Sequence, residues 1–302
     1  MKSTDPQTQP VDQTRTGILI TIFGLSVAAF TGALMKLMSN ELSAFQITWF
    51  RFLGFAIILL PIVWRKFGRG CYEVRRPSIQ IVRGISLASE TVCFVVGART
   101  IDFADAIAIL YAYPFLLTVM ATLFLGERVR VVGWLGVVGG FFGVLLVMQP
   151  RLDGVNTGTL FVFLCAVIVA FQMILNRKLG AISHPLLTSF WGAIIATLIL
   201  SVTIPFIWQP VSSEHLGWLV LIAITGAVNQ TCIVYGFAKA EASVLAPFTY
   251  FEILAGVVFG LVMFGTLPNP IAWFGILLIA GCGLIVARSL PNRSGVRRGA
   301  KF

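Results

Sequence analysis

The sequence predicts an all-α polytopic membrane protein with ten transmembrane helices, arranged as two inverted five-helix repeats and with both termini cytoplasmic. Three observations predict it. The 302 residues are 58% hydrophobic and 11% charged, with a mean hydropathy of +0.93, whereas a soluble domain is about 45–50% apolar and about 25% charged. Apolar runs near membrane-spanning length recur along almost the whole chain. The basic residues fall on alternate sides of those runs. This composition leaves too little polar surface to cover one or two water-soluble cores. It excludes an ordinary soluble enzyme, a disordered chain and a nucleic-acid binder.

Residues 1–16 are polar, contain Pro6 and Pro10, and lack the apolar core and small-residue cleavage site of a removable signal. They are expected to form a cytoplasmic tail. The first repeat, 17–149, holds spans at 17–38, 43–64, 78–98, 103–125 and 131–149. The second, 157–289, holds spans at 157–178, 184–207, 215–238, 243–265 and 270–289. Residues 290–302 form a basic cytoplasmic tail. Each run suits a hydrocarbon layer about 30 Å thick, and the strand alternation of a β-barrel is absent. With the N-terminus inside, cytoplasmic segments hold 17 of the 22 Lys and Arg residues, and the outer edges only Lys36, Arg99 and Arg151. The positive-inside rule therefore selects N-in, C-in, and the net charge of +10 needs no nucleic-acid partner. The expected location is the cell (inner) membrane, multi-pass, with the bilayer as a partner.

The repeat is legible at one fixed offset. Shifted by 139 positions, Cys93, Gly97, Tyr111, Gly126, Trp134 and Gly136 meet Cys232, Gly236, Tyr250, Gly265, Trp273 and Gly275. Spans one and six align less well, with Lys36 over Arg177 at a shift of 141. Five spans per copy is an odd number, so the second copy is turned over in the membrane. Secondary transporters often follow this plan, with the substrate site near the midplane between the halves.

These pieces carry a family resemblance. Trp49-Phe-Arg51-Phe early in span two, Ala104-Asp-Ala followed by Pro114 in span four, and Leu125-Gly-Glu127-Arg at its end are similar to the EamA-type members of the drug/metabolite transporter superfamily. So is the glycine-rich close of span five. The second half departs from that pattern, with Gly265-Thr266 where Gly-Glu is usual and Glu252-Ile253 where a proline is usual. The resemblance implies proton- or gradient-driven movement of a small metabolite through a central cavity. Spans one, three, four, six, eight and nine would line it, with five and ten peripheral.

A charge near the bilayer centre costs several kcal/mol, roughly 2.5–3.5 on insertion scales, so intramembrane charges mark a cavity or a partner. Arg51, Glu90 and Glu252 lie well inside spans two, three and nine. One reading is a substrate-binding or coupling site in which the glutamates titrate and Arg51 is counter-charge or carboxylate contact. Burial and a nearby arginine act on a glutamate in opposite senses, which suits a group that takes up and releases a proton. The other reading is a structural Arg51–Glu90 pair joining spans two and three. Tyr111, Tyr113, Tyr250, Asn229 and Trp49 extend the candidate site, with interhelical glue as their alternative role. Pro114 and Pro247 are expected to bend their spans and open space beside Tyr111.

Arg83 is expected to snorkel to the cytoplasmic surface, and Asp102 and Asp105 to cap span four. Glu127 and Arg128 read as interfacial packing or an inner gate. Trp64, Trp191, Trp208 and Trp218 read as belt anchors. Gly136, Gly139, Gly140 and Gly143 in span five serve close helix contact, within the chain or across a homodimer. His184 and His215 are expected at outer span ends without ligand spacing. The five cysteines imply no disulfide framework. No phosphate-binding loop, metal motif or catalytic set is present, so neither cofactor nor metal is expected and the chain is not read as an enzyme.

The favoured function is a secondary transporter exporting a small amino-acid-derived metabolite, either an amino acid or an opine-type metallophore. The alternative is uptake of a heterocyclic metabolite such as riboflavin or S-adenosylmethionine. A non-transporting structural or receptor membrane protein is the alternative from another class.

Overall fold

The computed structural model describes residues 11–72, 74, 76–125, 131–148, 156–180, 183–239 and 251–289. Within them the regular structure is helical: α1 (Val11–Met38), α2 (Ala44–Phe67), a 3-10 turn (Gly68–Tyr72), α3 (Pro77–Ala98), α4 (Phe103–Leu110), α5 (Tyr113–Leu125), α6 (Val131–Met148), α7 (Thr157–Gly180), α8 (Pro185–Ile207), α9 (Ser213–Lys239), α10 (Phe251–Phe264) and α11 (Pro270–Ser289). Seven stretches are long and apolar enough to cross a membrane: Arg15–Met38, Ala44–Tyr72, Pro77–Ala98, Phe103–Met120, Thr157–Asn176, Leu186–Ile207 and Ser213–Ile233. Three shorter apolar stretches, Trp134–Val147, Phe251–Phe264 and Pro270–Cys282, lie within the segments expected as spans five, nine and ten. At about 1.5 Å per residue, the 14 residues of α10 reach only about 21 Å.

Local chemistry explains the helix boundaries. Pro77, Pro185 and Pro270 open α3, α8 and α11, where a missing N–H is not needed. The Ser43 hydroxyl accepts from Gln46 N at 3.2 Å to cap α2, and Asn269 Oδ1 accepts from Ala272 N at 2.8 Å to cap α11. Thr21, Ser26, Thr31, Thr48, Ser86, Thr91, Thr197 and Ser201 each donate to the carbonyl four residues back. That bond satisfies a hydroxyl where water is absent.

Span four is two helices. Pro114 has no N–H for the Leu110 carbonyl, and its ring crowds that turn. α4 therefore stops at Leu110, and α5 restarts at Tyr113 with the proline in its first turn. The helix is interrupted where the proline predicted a bend, but the interruption does not open space beside Tyr111, which is fully buried.

Large apolar side chains face outward in numbers no water-soluble surface would carry, among them Phe206, Val262, Val202, Leu19 and Leu198. Inside, one core draws on every helix but α8, and a smaller one joins α2, α8 and the 3-10 turn with single residues of α3 and α9. The principal helix contacts are α1–α9 and α3–α7, α2–α9 and α3–α8, α1–α10 and α5–α7, α2–α8, α4–α10 and α6–α11. Replacing each span by the one five places along, with α4 and α5 taken as one span, leaves this set unchanged.

Close helix approach rests on small residues. A methyl group at Gly97 of α3 would come within 2.6 Å of the Gly158 carbonyl on α7, and one at Gly24 of α1 within 2.8 Å of Cys232 Cβ on α9. Gly139 and Gly143 of α6 face Cys282, Gly275 and Ile279 of α11, and Gly140 faces Phe115 of α5. These glycines are thus spent on intramolecular contacts.

Candidate functional site

The charged residues of spans two, three and nine come together where α1, α2, α3, α7, α9 and α10 meet. Arg51 leaves α2 across Gly226 of α9, whose missing side chain leaves 3.4 Å between a would-be Cβ and Arg51 Nε. Its Nη1 donates to Thr91 Oγ1 on α3 at 3.1 Å and approaches Met35 Sδ on α1 at 3.9 Å. The carboxylates within electrostatic reach of Arg51 are Glu90 and Glu252. Glu90 Oε2 accepts from Gln172 Nε2 on α7 at 2.8 Å, and Glu252 Oε2 accepts from Tyr111 OH at 2.9 Å. Tyr111 packs its ring on Tyr113, centroids 5.6 Å apart.

Among the described residues, no Lys or Arg nitrogen is paired with a carboxylate at ion-pair distance, so the direct Arg51–Glu90 pair offered by one reading of the sequence is not formed. Each charge is held by a neutral group and meets the others through space. Arg51, Glu90 and Glu252 lie deep among the helices, yet each keeps some accessible surface. Tyr111, by contrast, is fully buried. Chemically the set combines one fixed cation with two carboxylates that hydrogen-bond neutral donors, an arrangement suited to exchanging a proton or holding a zwitterion.

Other expectations fare differently. Trp49 belongs elsewhere: its Nε1 donates to Ser201 Oγ on α8 at 2.8 Å, and its ring meets Phe50 and Trp208 edge-on. Two residues from Arg51 on a helix, it points away from it. Asn229 is half-buried one turn beyond Gly226 on α9, and its side chain makes no hydrogen bond to Arg51, Glu90 or Glu252. Tyr250, Pro247, Glu127 and Arg128 lie outside the described residues. A cavity of about 250 Å³ does adjoin Ala112, but its lining is apolar: Phe115, Leu116, Val119, Val138, Phe141 and Phe163 beside Ala112. Val138 and Phe141 are exposed, so it opens toward lipid and not toward the charges.

Arg83 does not snorkel. It is 3% exposed, its Nε donates to Asn176 Oδ1 at 2.5 Å, and its Nη1 donates to the Thr188 carbonyl at 2.9 Å. A side chain at Gly192 of α8 would overlap the guanidinium, so that helix carries a slot for it. Acceptors on two helices compete successfully with the route to the surface. Asp102 occupies the N-cap position of α4 without a capping bond, and Asp105 Oδ1 is buried without a partner. Lys36 at the end of α1 donates to the Ile101 carbonyl and lies over the Phe264 ring at 5.1 Å.

His184 is at the opposite end from the one expected. It sits 3.4 Å from Lys66 Nζ and packs on Phe67, the end that the basic residues assign to the cytoplasm. There burial, and then the Lys66 charge, hold its imidazole below the usual histidine range. Trp191 is half-buried and acts as a tie as well as a span-end aromatic, donating from Nε1 to the Cys71 carbonyl at 3.0 Å. Gln172 and Asn176 are absent from the set expected from the sequence. Their signal is present there, because two amides four residues apart in an apolar span share one helix face.

Comparison with known proteins agrees with this architecture. A 26% identical relative is the pseudopaline exporter CntI of Pseudomonas aeruginosa, aligned over 279 residues and covering 90% of this chain and 96% of that protein. The S-adenosylmethionine uptake transporter of Rickettsia conorii is 24% identical over 274 residues, covering 91% and 93%. The riboflavin transporter of Rhizobium johnstonii is 26% identical over 243 residues, covering 80% of each chain. One solved crystal structure superimposes with a TM-score of 0.63 at 16% identity, over 92% of this chain and 98% of its own, which speaks to the fold alone. The family model for EamA-like transporters matches residues 15–149 and 156–287. An outward-facing apolar surface around a buried set of unpaired charges, matched by that model over nearly the whole chain, identifies this multi-pass membrane protein as a member of the EamA-like transporter family.

Proposed function

We propose that the protein is a proton- or gradient-coupled secondary transporter of the inner membrane that exports a small amino-acid-derived metabolite, an amino acid or an opine-type metallophore. It crosses the bilayer ten times, N-in and C-in, as two inverted repeats. The contact set that survives exchange of spans supports this, as do the positions of the two family matches and the Cys, Gly, Tyr and Trp residues repeated at one offset. The observation that carries the function is the Arg51, Glu90 and Glu252 cluster: one cation and two carboxylates from three spans, deep in the bundle, partly accessible and not ion-paired. A zwitterion presents a carboxylate to Arg51 and an ammonium to a glutamate, and a proton on that glutamate competes with the ammonium. Uptake of a heterocycle is the second reading, favoured by the names of the S-adenosylmethionine and riboflavin relatives. A receptor or purely structural protein has no use for unpaired charges at lipid depth.

The test compares metabolites inside and outside cells with and without the gene, then repeats the comparison with Glu90→Gln and Glu252→Gln. Export predicts intracellular accumulation of one amino-acid-derived solute on deletion, and loss of rescue by either variant at normal expression. Normal transport by both variants would overturn the site. Depletion of a heterocycle inside the cell would replace export by uptake.

A further inference from the structure

We infer that Arg83 is a positioning residue for Glu90 and the moving part of a latch closing α3 onto α7 and α8. The inference rests on Glu90 as the proton-exchanging group of the proposed function. α3 and α7 meet along two polar rungs, Arg83–Asn176 and Glu90–Gln172. Arg83 and Glu90 are seven residues apart on α3, and Gln172 and Asn176 four apart on α7, so both rungs lie on the facing sides of the two helices. Arg83 holds α8 as well, through the Thr188 carbonyl and the slot at Gly192.

This arginine is a buried cation with only neutral hydrogen-bond partners among the described residues, and the one carboxylate that acts on it there is Glu90. The groups facing Glu90 are Arg51 from α2, Arg83 from its own helix, and from α7 the Gln172 amide and the Cys165 thiol. While Glu90 is ionised, its charge compensates Arg83, and its bond from Gln172 is charge-assisted. A proton on Glu90 removes that compensation and weakens the Gln172 rung. Arg83 is then a buried charge without a counter-charge, the costliest state for such a group. It begins two turns from the start of α3, and its long stem can carry the guanidinium out to that end. Its departure empties the slot at Gly192 and frees α8 from α3. Protonation deep in the bundle is thereby converted into opening at the end that Lys66 and His184 mark.

The experiment uses full-length Thr188→Cys protein in nanodiscs, with a water-soluble maleimide and the labelled position identified by mass spectrometry. At one pH, Glu90→Gln imitates the protonated acid and is expected to raise labelling at position 188 several-fold. Lowering the pH is expected to raise it in the Glu90 protein, relative to an exposed control cysteine, and not in the Glu90→Gln protein. Arg83→Met is expected to label fast regardless of Glu90, and Arg83→Lys to restore part of the dependence. Equal labelling with Glu90 and Glu90→Gln in monodisperse protein overturns the latch, and so does a dependence on Glu90 that persists in Arg83→Met. Should Arg83→Met fail to fold, Arg83→Lys with Glu90→Gln still decides it. No substrate is involved, so a failed latch and a failed transport assignment give separate results.

Discussion

The α1–α9 and α3–α7 contacts occupy exchanged places in the bundle, and they are built differently. α1–α9 is closed by small residues: Gly236 against Thr21 and Gly17, and Gly24 against Cys232. α3–α7 has the matching glycine contact at one end, Gly97 against Gly158, but continues as a run of polar groups: Glu90, Gln172, Arg83 and Asn176. A dry glycine contact has one tight geometry and resists sliding. A polar contact depends on the charges that make it, so a proton can change its strength. Two helix pairs with exchanged places in the contact set are therefore built from unlike chemistry, one from small residues and one from polar groups.

The largest expected effect that separates the two is the loss of Arg83. Arg83→Met strands the Asn176 and Thr188 acceptors, which predicts about 2–5 kcal/mol of destabilisation. It is read as lowered thermal stability of the detergent-solubilised protein, and an unchanged midpoint would mean that the polar contact holds nothing. The matched glycines come next. Gly97→Ala drives a methyl group against the fixed Gly158 carbonyl, whereas at Gly236→Ala the first obstacle is the Thr21 hydroxyl, which can rotate. Overpacking predicts about 1–3 kcal/mol at Gly97 and less at Gly236, and equal losses would make the two contacts equivalent. Tyr111→Phe removes the donor to Glu252 Oε2. About 1.5–3 kcal/mol belongs to a hydrogen bond to a charged group, so transport should fall roughly tenfold or more and its pH profile should move. A profile that stays in place would assign Tyr111 to packing alone.

The smallest effect lies where the end of α2 meets the start of α8, at His184. His184 favours its neutral ring in the folded protein, so the unfolded chain binds more protons there. That stabilisation is present above the ordinary histidine pKa and is lost as pH falls through the usual range toward the lowered value. Lys66→Met should shift the His184 titration upward, as read by NMR of a labelled sample. A titration already at the ordinary value would remove Lys66 from its surroundings.

Several features are legible in the amino-acid sequence. The described ends of α2, α3, α7, α8, α9 and α11 fall within a few residues of the expected spans because helix-opening prolines, caps and apolar run length are local properties, whereas α1 starts six residues earlier than expected. The break near Tyr111 is legible too, because Pro114 acts through its own lost N–H. The choice of Arg51, Glu90 and Glu252 as candidates follows from the cost of charge at lipid depth, which holds whatever their partners. Partners are another matter. Arg83 reads as a surface group because nothing in span three shows Asn176, the Thr188 carbonyl or a slot at Gly192 waiting for it. Arg51 and Glu90 are candidates for a pair by depth, yet Thr91 and Gln172 take the bonds. Trp49 shares the depth of Arg51 and faces another helix. The expectation for His184 names the wrong end, although the basic residues beside its span already point to the right one.

Composition, run length and charge placement alone determined that this chain is a helical membrane protein with a few informative charges, because solvation in lipid acts on each residue separately. Which charges meet, which neutral groups hold them and which helix contact is polar were decided only by tertiary structure. Hydrogen bonds span a few ångströms between helices far apart in sequence, and a helix rotation of one residue changes every partner.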